Sequence, residues 1–136
     1  MRTAVGIAII VIACSGLAQG QSLPSASEVP RLRSECAEKG KLMLLGTVID
    51  PALTKYQTSH YDAHTNRCYV DLTVRSADNI NRNLFDGQTN ELLAVARIQK
   101  GTKVGMVIDR RDGKLKHAEW DFATAYINAA MANERR

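Results

Sequence analysis

His60–Arg75, with the sequence HYDAHTNRCYVDLTVR, predicts a β-hairpin around which the rest of the chain can be arranged. Its second strand has the period of two that is typical of a half-buried strand. Two sets of side chains alternate there: Cys68, Val70, Leu72 and Val74 on one side, and Tyr69, Asp71, Thr73 and Arg75 on the other. The hairpin therefore assigns one face of a sheet to the core, but it indicates no reaction.

The turn of this hairpin recurs along the chain. Asp62–Asn66 (DAHTN), Asp86–Asn90 (DGQTN) and a looser Asp109–Gly113 (DRRDG) begin 24 and then 23 residues apart. Each aspartate can accept hydrogen bonds from backbone N–H groups two or three residues on, and Asn or Gly stands where a tight turn needs a positive φ. A spacing near two dozen residues predicts successive hairpins of an antiparallel meander.

The fold class that follows is α+β, with an antiparallel meander of about 4–6 strands built from hairpins. The predicted strands are Tyr56–Tyr61, Arg67–Val74, Arg82–Phe85, Glu91–Ile98, Val104–Asp109 and, as the shortest, Lys114–Lys116. Glu91–Ile98 has apolar residues on both faces and is predicted to be central and covered on both sides. Gly105 indicates a bulge or a close backbone approach.

Helices are predicted at both ends of the meander, packed on the sheet. The first begins after Ser27 as N-cap and runs to about Lys39, with Gly40 as a left-handed C-cap. Leu42–Ile49 is either a further helical turn or a buried strand, because periodicity does not separate the two. The second helix, His117–Asn133, has an apolar stripe at spacings of three and four, for which core packing is favoured over ligand binding.

The start of the chain predicts export. The apolar run Thr3–Ala13 is shorter than the roughly 20 residues that span a bilayer. Residues 1–20 are interpreted as a signal peptide, or residues 1–13 if Cys14 belongs to a lipobox (VIAC) and is acylated; otherwise Cys14 is an apolar residue of the discarded signal. We interpret residues 21–30 as a flexible tether and 31–136 as a single α+β domain. The expected location is periplasmic or secreted, or an outer-membrane lipoprotein held only through Cys14.

Two cysteines, Cys36 and Cys68, fall in the predicted mature domain. Export to an oxidising compartment favours a disulfide between them, which on the chain-entropy model contributes roughly 3–4 kcal/mol. The alternative is two small hydrophobic residues that are never bonded.

Charge and motifs exclude several function classes. The formal net charge is +4, or +3 without Arg2, and it is spread along the chain, so nucleic acid is not an expected partner. His60 and His64 straddle a turn instead of sharing a helix face, and no metal site or cofactor is predicted. Four aspartates are interpreted as turn caps and not as acid–base catalysts: Asp62, Asp86, Asp109 and Asp112.

Three segments carry a resemblance: SHYDAHTNRCYVDLTV (59–74), LFDGQTNELLAVA (84–96) and AEWDFATAYINAAM (118–131). Together they resemble an uncharacterised family of exported, periplasmic or lipoprotein domains of Gram-negative bacteria. The resemblance implies a bacterial envelope setting and no activity.

The sequence thus predicts a non-enzymatic exported envelope protein that binds another protein or an anionic envelope polymer. The expected contact surface comprises Tyr61, His64, Tyr69, Arg110 and Arg111. Basic residues around the third turn have a simpler interpretation as a solvated face. The alternatives are a small periplasmic hydrolase that uses His60 with a turn aspartate, and a structural lipoprotein.

Overall fold

The fold is described from a computed structural model, which covers residues 22–132. One open antiparallel sheet of six strands follows the chain order and is flanked by two helices. The elements are α1 (Val29–Gly46), β1 (Thr54–Asp62), β2 (Arg67–Arg75), β3 (Asn79–Asp86), β4 (Leu92–Gln99), β5 (Thr102–Asp109), β6 (Lys114–Ala118) and α2 (Trp120–Met131). The predicted α+β meander is confirmed; β4 has the predicted length, shifted by one residue, and the other five strands are longer than the sequence indicated.

The three aspartate turns have the same geometry. In each, one carboxylate oxygen accepts the backbone N–H two residues on: His64 to Asp62 at 2.9 Å, Gln88 to Asp86 at 2.8 Å, and Arg111 to Asp109 at 2.9 Å. The fifth residue of each turn motif has a positive φ: 52° at Asn66, 61° at Asn90 and 67° at Gly113. Because each turn joins an odd-numbered strand to the next even one, all three lie at one end of the sheet, here termed the aspartate-turn end.

The two helices lie on opposite faces of the sheet, which we call the α1 side and the α2 side. On the α1 side, Cys36 packs with residues of β1 and β2 such as Tyr61, Val70 and Leu72. The α2 side buries the larger cluster of Leu84, Leu93, Ala94, Ala96, Val107, Ala123 and Ile127. The register supports this division, because directly paired residues such as Val70 and Phe85 share a face.

Gly40 does not end α1, and the predicted C-cap there is wrong. It is buried in the middle of a helix that continues to Gly46, because a close approach to β1 leaves no room for a side chain. A Cβ at this position would overlap Oε1 of Gln57 and lie 3.3 Å from Cβ of Ser59. The helix ends instead at Gly46 with Thr47 as its C-cap, and Lys55 Nζ donates to the carbonyl oxygens of Leu44 and Thr47 at 3.0 and 2.6 Å.

Gly105 has the close approach that the sequence indicated. A Cβ there would lie 2.6 Å from the carbonyl oxygen of Glu119, where the chain passes from β6 into α2. This connection also shortens the predicted second helix: His117 belongs to β6, and α2 begins at Trp120. The predicted end at Asn133 lies outside the described residues.

The predicted disulfide is present. Cys36 of α1 and Cys68 of β2 are bonded with their Cα atoms 5.5 Å apart, closing a separation of 32 residues. A bridge of this kind is compatible with an oxidising, exported location. Within residues 22–132, neither helix is long and apolar enough to cross a membrane. The interpretations of the signal peptide and of Cys14 concern residues outside the described range.

Candidate functional site

The α1 side of the sheet is only partly covered. Substantial packing of α1 is confined to β1 and β2, whereas α2 crosses the other face over β5, β4 and β2 and reaches β1. On the α1 side, no helix in the described part of the chain packs substantially on the strands from β3 to β6, although Phe85 of β3 packs against the edge of the α1-side cluster. A sheet face without a covering element is where a ligand or partner finds free surface.

Two cavities lie along β3, the first against α1 and the second at the β2–β3 turn with no α1 residue in its lining, and we call them together the β3 groove. The first, of about 590 Å³, lies between the Leu42 flank of α1 and Leu72 and Phe85 of the sheet. The second, of about 260 Å³, is lined by Val74, Asn81 and other residues near the β2–β3 turn. The two linings share no residue, but Leu72 of the first cavity and Val74 of the second are successive residues of β2 on the α1 side.

The groove and its surroundings expose apolar side chains. On α1, Leu42 is 59% exposed and Leu45 is 76% exposed. Asn83, Val95 and Met106 also lie on the α1 side, because β3 pairs Asn83 with Val95 and β5 pairs Met106 with Val95. Val95 is buried and Met106 is half-buried on this side, where no described helix packs substantially on β4 or β5. β4 is one of the two central strands, as predicted, but no described helix packs substantially on its α1 side.

The groove is electropositive. Among the residues that line the two cavities, Lys39, Arg75 and Arg97 carry positive charge, and none is Asp or Glu. Arg97 shares the α1 side with Val74 and Asn81, whereas Arg75 follows Val74 in β2 and lies toward the α2 side. The ion pairs within residues 22–132 involve none of these three cations. A carboxylate placed in the groove would therefore meet cations that have no described carboxylate partner.

One polar atom in the groove lacks a partner. The Oδ1 atom of Asn81 is buried and accepts no hydrogen bond from any described group. Its neighbour Asn79, by contrast, donates to Ser76 at 3.1 Å and accepts from the Lys100 N–H at 3.2 Å. A buried acceptor without a donor costs roughly 1–3 kcal/mol, so a donor supplied from outside would be favoured here.

The five predicted contact residues do not share one surface. Tyr61 is 4% exposed on the α1 side, where its hydroxyl donates to Asn66 Oδ1 at 2.6 Å, and burial raises the pKa of this hydroxyl. Tyr69 lies on the opposite side and packs against the α2 cluster. The inclusion of Tyr61 in an exposed surface is therefore corrected: its apolar ring faces the core under α1.

The other predicted contact residues are exposed but far apart. His64 lies in the β1–β2 turn, and Arg110 and Arg111 lie in the β5–β6 turn, at the same end of the sheet. Four strand spacings separate these turns, or about 19 Å. A single small ligand cannot contact both, although a large polymer could.

The turn aspartates are occupied by structural hydrogen bonds. Burial alone would raise the pKa of Asp62, but hydrogen bonds from Thr65 and from the N–H groups of His64 and Thr65 outweigh it and lower that pKa overall. Asp112 pairs with Lys116 at 2.7 Å; the hydrogen bond from Lys116 lowers the pKa of Asp112, and Asp112 raises that of Lys116.

The hydrolase alternative gains no support from His60. None of the side-chain hydrogen bonds found in residues 22–132 joins His60 to a carboxylate. The same part of the chain contains no group of three or more His, Cys, Asp or Glu residues placed to hold a metal ion.

A buried charge network was missed by sequence reasoning. Asp71 is 6% exposed, and its Oδ2 atom accepts hydrogen bonds from Arg82 Nε at 3.1 Å and from Arg82 Nη2 at 2.6 Å. Arg82 Nη1 also donates to Asn128 Oδ1 of α2 at 3.0 Å. Because neither cavity of the groove includes these residues, the network is best understood as the link between β2, β3 and α2.

The β3 groove was also missed. The exposed leucines of α1 were visible in the run Leu42–Ile49, but that run was compatible with a buried strand. Comparison with known proteins adds no candidate: no protein-family model matches the chain, no curated protein matches it, and a search of the solved structures finds no match.

Proposed function

We propose that this protein is a non-enzymatic exported binding protein and that its β3 groove receives another protein. The observation that carries the proposal is the uncovered α1 side of the sheet, where exposed apolar groups lie among cations that have no described carboxylate partner. Partly apolar, concave surfaces of this kind are typical of interaction sites. The disulfide supports an extracytoplasmic setting, and the envelope family suggested by the sequence is consistent with it.

The groove can be tested with two leucines of the same helix. Leu42 lines the first cavity, whereas Leu45 is more exposed and lies outside both cavities. In affinity purification from envelope extracts of the source organism, Leu42→Glu should reduce partner recovery about tenfold, because a charge would enter an apolar contact. Leu45→Glu should recover the partner as the unchanged protein does. Equal recovery with both variants would reject the groove as the binding site.

Binding to an anionic envelope polymer is the second candidate. Arg110 and Arg111 are exposed on a turn whose backbone is held by Asp109. If a polymer is the ligand, Arg110→Ala/Arg111→Ala should weaken co-sedimentation with purified anionic envelope polymer, and added salt should weaken it further. Unchanged sedimentation of the double variant would remove this candidate.

The location is tested by the intact mass of protein purified from the envelope. We expect a chain that begins after residue 18 or 20 and has Cys36 and Cys68 alkylated only after reduction. A chain that begins at acylated Cys14 would identify a lipoprotein instead. A mass that includes the whole of residues 1–20 would contradict both forms of export processing.

A further inference from the structure

The shape and charge of the β3 groove point to one kind of occupant. Resting on the function proposed above, we infer that the groove receives an amphipathic α-helix whose polar flanks carry carboxylates. The helix would lie beside α1, with its apolar stripe on the sheet and on the Leu42 flank of α1.

The geometry of the α1 side leaves room for a second helix. A helix about 10 Å across covers roughly two strands spaced about 4.8 Å apart, and α1 packs on β1 and β2 of the six-stranded sheet. The groove follows β3, whose eight residues span about 26 Å, or roughly 17 residues of helix. A helix in the groove would pack beside α1 on the same side of the sheet.

Backbone hydrogen bonding favours a helix over an extended segment. A strand laid on the face of a sheet finds no ladder partners, so its N–H and C=O groups would lose water without compensation. A helix satisfies these groups internally and presents only side chains. The floor of the groove is made of side chains that suit such contact, including Leu72, Val74 and Phe85.

The charges select an acidic helix. Lys39 lies on the α1 wall, and Arg97 lines the second cavity on the same side as Val74 and Asn81, with no Asp or Glu in either lining. Carboxylates on the flanks of the incoming helix would pair with these cations. A hydroxyl or amide donor facing the sheet could also satisfy Asn81 Oδ1, which has no described partner.

A second copy of this chain does not offer such a helix. The sequence of α1, VPRLRSECAEKGKLMLLG, contains four Lys or Arg residues and two Glu, while α2 has Asp121 as its one acidic residue. The whole chain is also cationic, with a formal net charge of +4. The occupant is therefore a different protein.

Site-specific photo-crosslinking tests this inference. A photoreactive amino acid would replace Leu42 in the full-length protein, with the same substitution at Leu45 as the control, in cells of the source organism. The crosslinked segment would then be identified by mass spectrometry. We expect a segment with apolar residues every three or four positions and an excess of Asp and Glu, crosslinked from position 42 and not from position 45.

A synthetic peptide with the sequence of the crosslinked segment provides the second measurement. Its affinity should fall about tenfold or more for Arg97→Glu, and replacing its acidic residues by Lys should restore binding to that variant. Circular dichroism should show helix formation when the peptide binds.

The outcomes separate the inference from the function on which it rests. No crosslink at position 42 above the level at position 45 would reject the groove as a protein-binding site. A crosslinked segment that is basic or remains extended, a crosslink to lipid, or a crosslink to a second copy would overturn the acidic helix.

Discussion

Gly40 shows how one residue sets the distance between α1 and the sheet. It is buried directly against Gln57 and Ser59 of β1, where any Cβ would force neighbouring atoms to move. A glycine inside a helix costs about 1 kcal/mol relative to alanine, so its presence at this position is explained by packing. Gly46, at the end of the same helix, has open space around it.

These two glycines should respond oppositely to substitution. Gly40→Val should lower the free energy of unfolding by about 1–3 kcal/mol, because the added methyl groups overpack the contact with β1. Gly46→Ala should be neutral or stabilising by up to about 1 kcal/mol. Urea unfolding of both variants measures the difference. Equal stability of Gly40→Val and the unchanged protein would refute the packing role.

At the scale of elements, a charge network holds α2 to the sheet. Asp71 of β2 and Arg82 of β3 are joined by two hydrogen bonds, and Arg82 reaches Asn128 of α2. The side chain of Asp71 is 8% exposed and that of Arg82 is 25% exposed. Removing one member of such a buried pair leaves the other charge without compensation.

Asp71→Ala should therefore destabilise the protein by roughly 3–5 kcal/mol, with the lower end expected because Arg82 keeps some contact with water. Asp71→Leu/Arg82→Met should recover much of the loss, since no unpaired charge remains. Urea unfolding of the single and double variants provides the comparison. A double variant as unstable as Asp71→Ala would indicate that the geometry of the pair, and not charge compensation, is what matters.

At the scale of the whole molecule, the disulfide ties α1 to the meander. Cys36 and Cys68 are 32 residues apart, and the bridge joins the helix that forms one wall of the β3 groove to β2 on the sheet. The C-terminal half of α1 is held separately, through Lys55 and the packing of Met43 and Leu44.

Removing the Cys36–Cys68 disulfide should lower the free energy of unfolding, because the bridge restricts the unfolded chain in addition to making contacts in the folded one. Cys36→Ala/Cys68→Ala should lose about 3–4 kcal/mol of unfolding free energy on the chain-entropy model, measured by urea denaturation. Adding reductant to the unchanged protein should reproduce the loss, and adding it to the double variant should have no effect. A double variant with an unchanged urea midpoint would contradict this account.

Much of the fold is local and could be inferred from the chain alone. The aspartate turns, the alternation of β2 and the spacing of the hairpins depend on residues within a few positions of one another. Backbone sterics and turn hydrogen bonds act at that range, so the sequence determined the antiparallel meander and its turns. The pairing of Cys36 with Cys68 followed because no other cysteine lay in the predicted domain.

Tertiary structure decided what depends on contacts between distant segments. Glycine is typical of a helix end, and only the packing of Gly40 against β1 shows that it is buried in the middle of α1. The β3 groove brings together Leu42, Leu72 and Phe85, which are separated along the chain, and its existence depends on which strands α1 leaves uncovered. Which strands α1 covers depends on how whole elements pack, because the free energy of burial depends on both surfaces that meet and not on the sequence of one element alone.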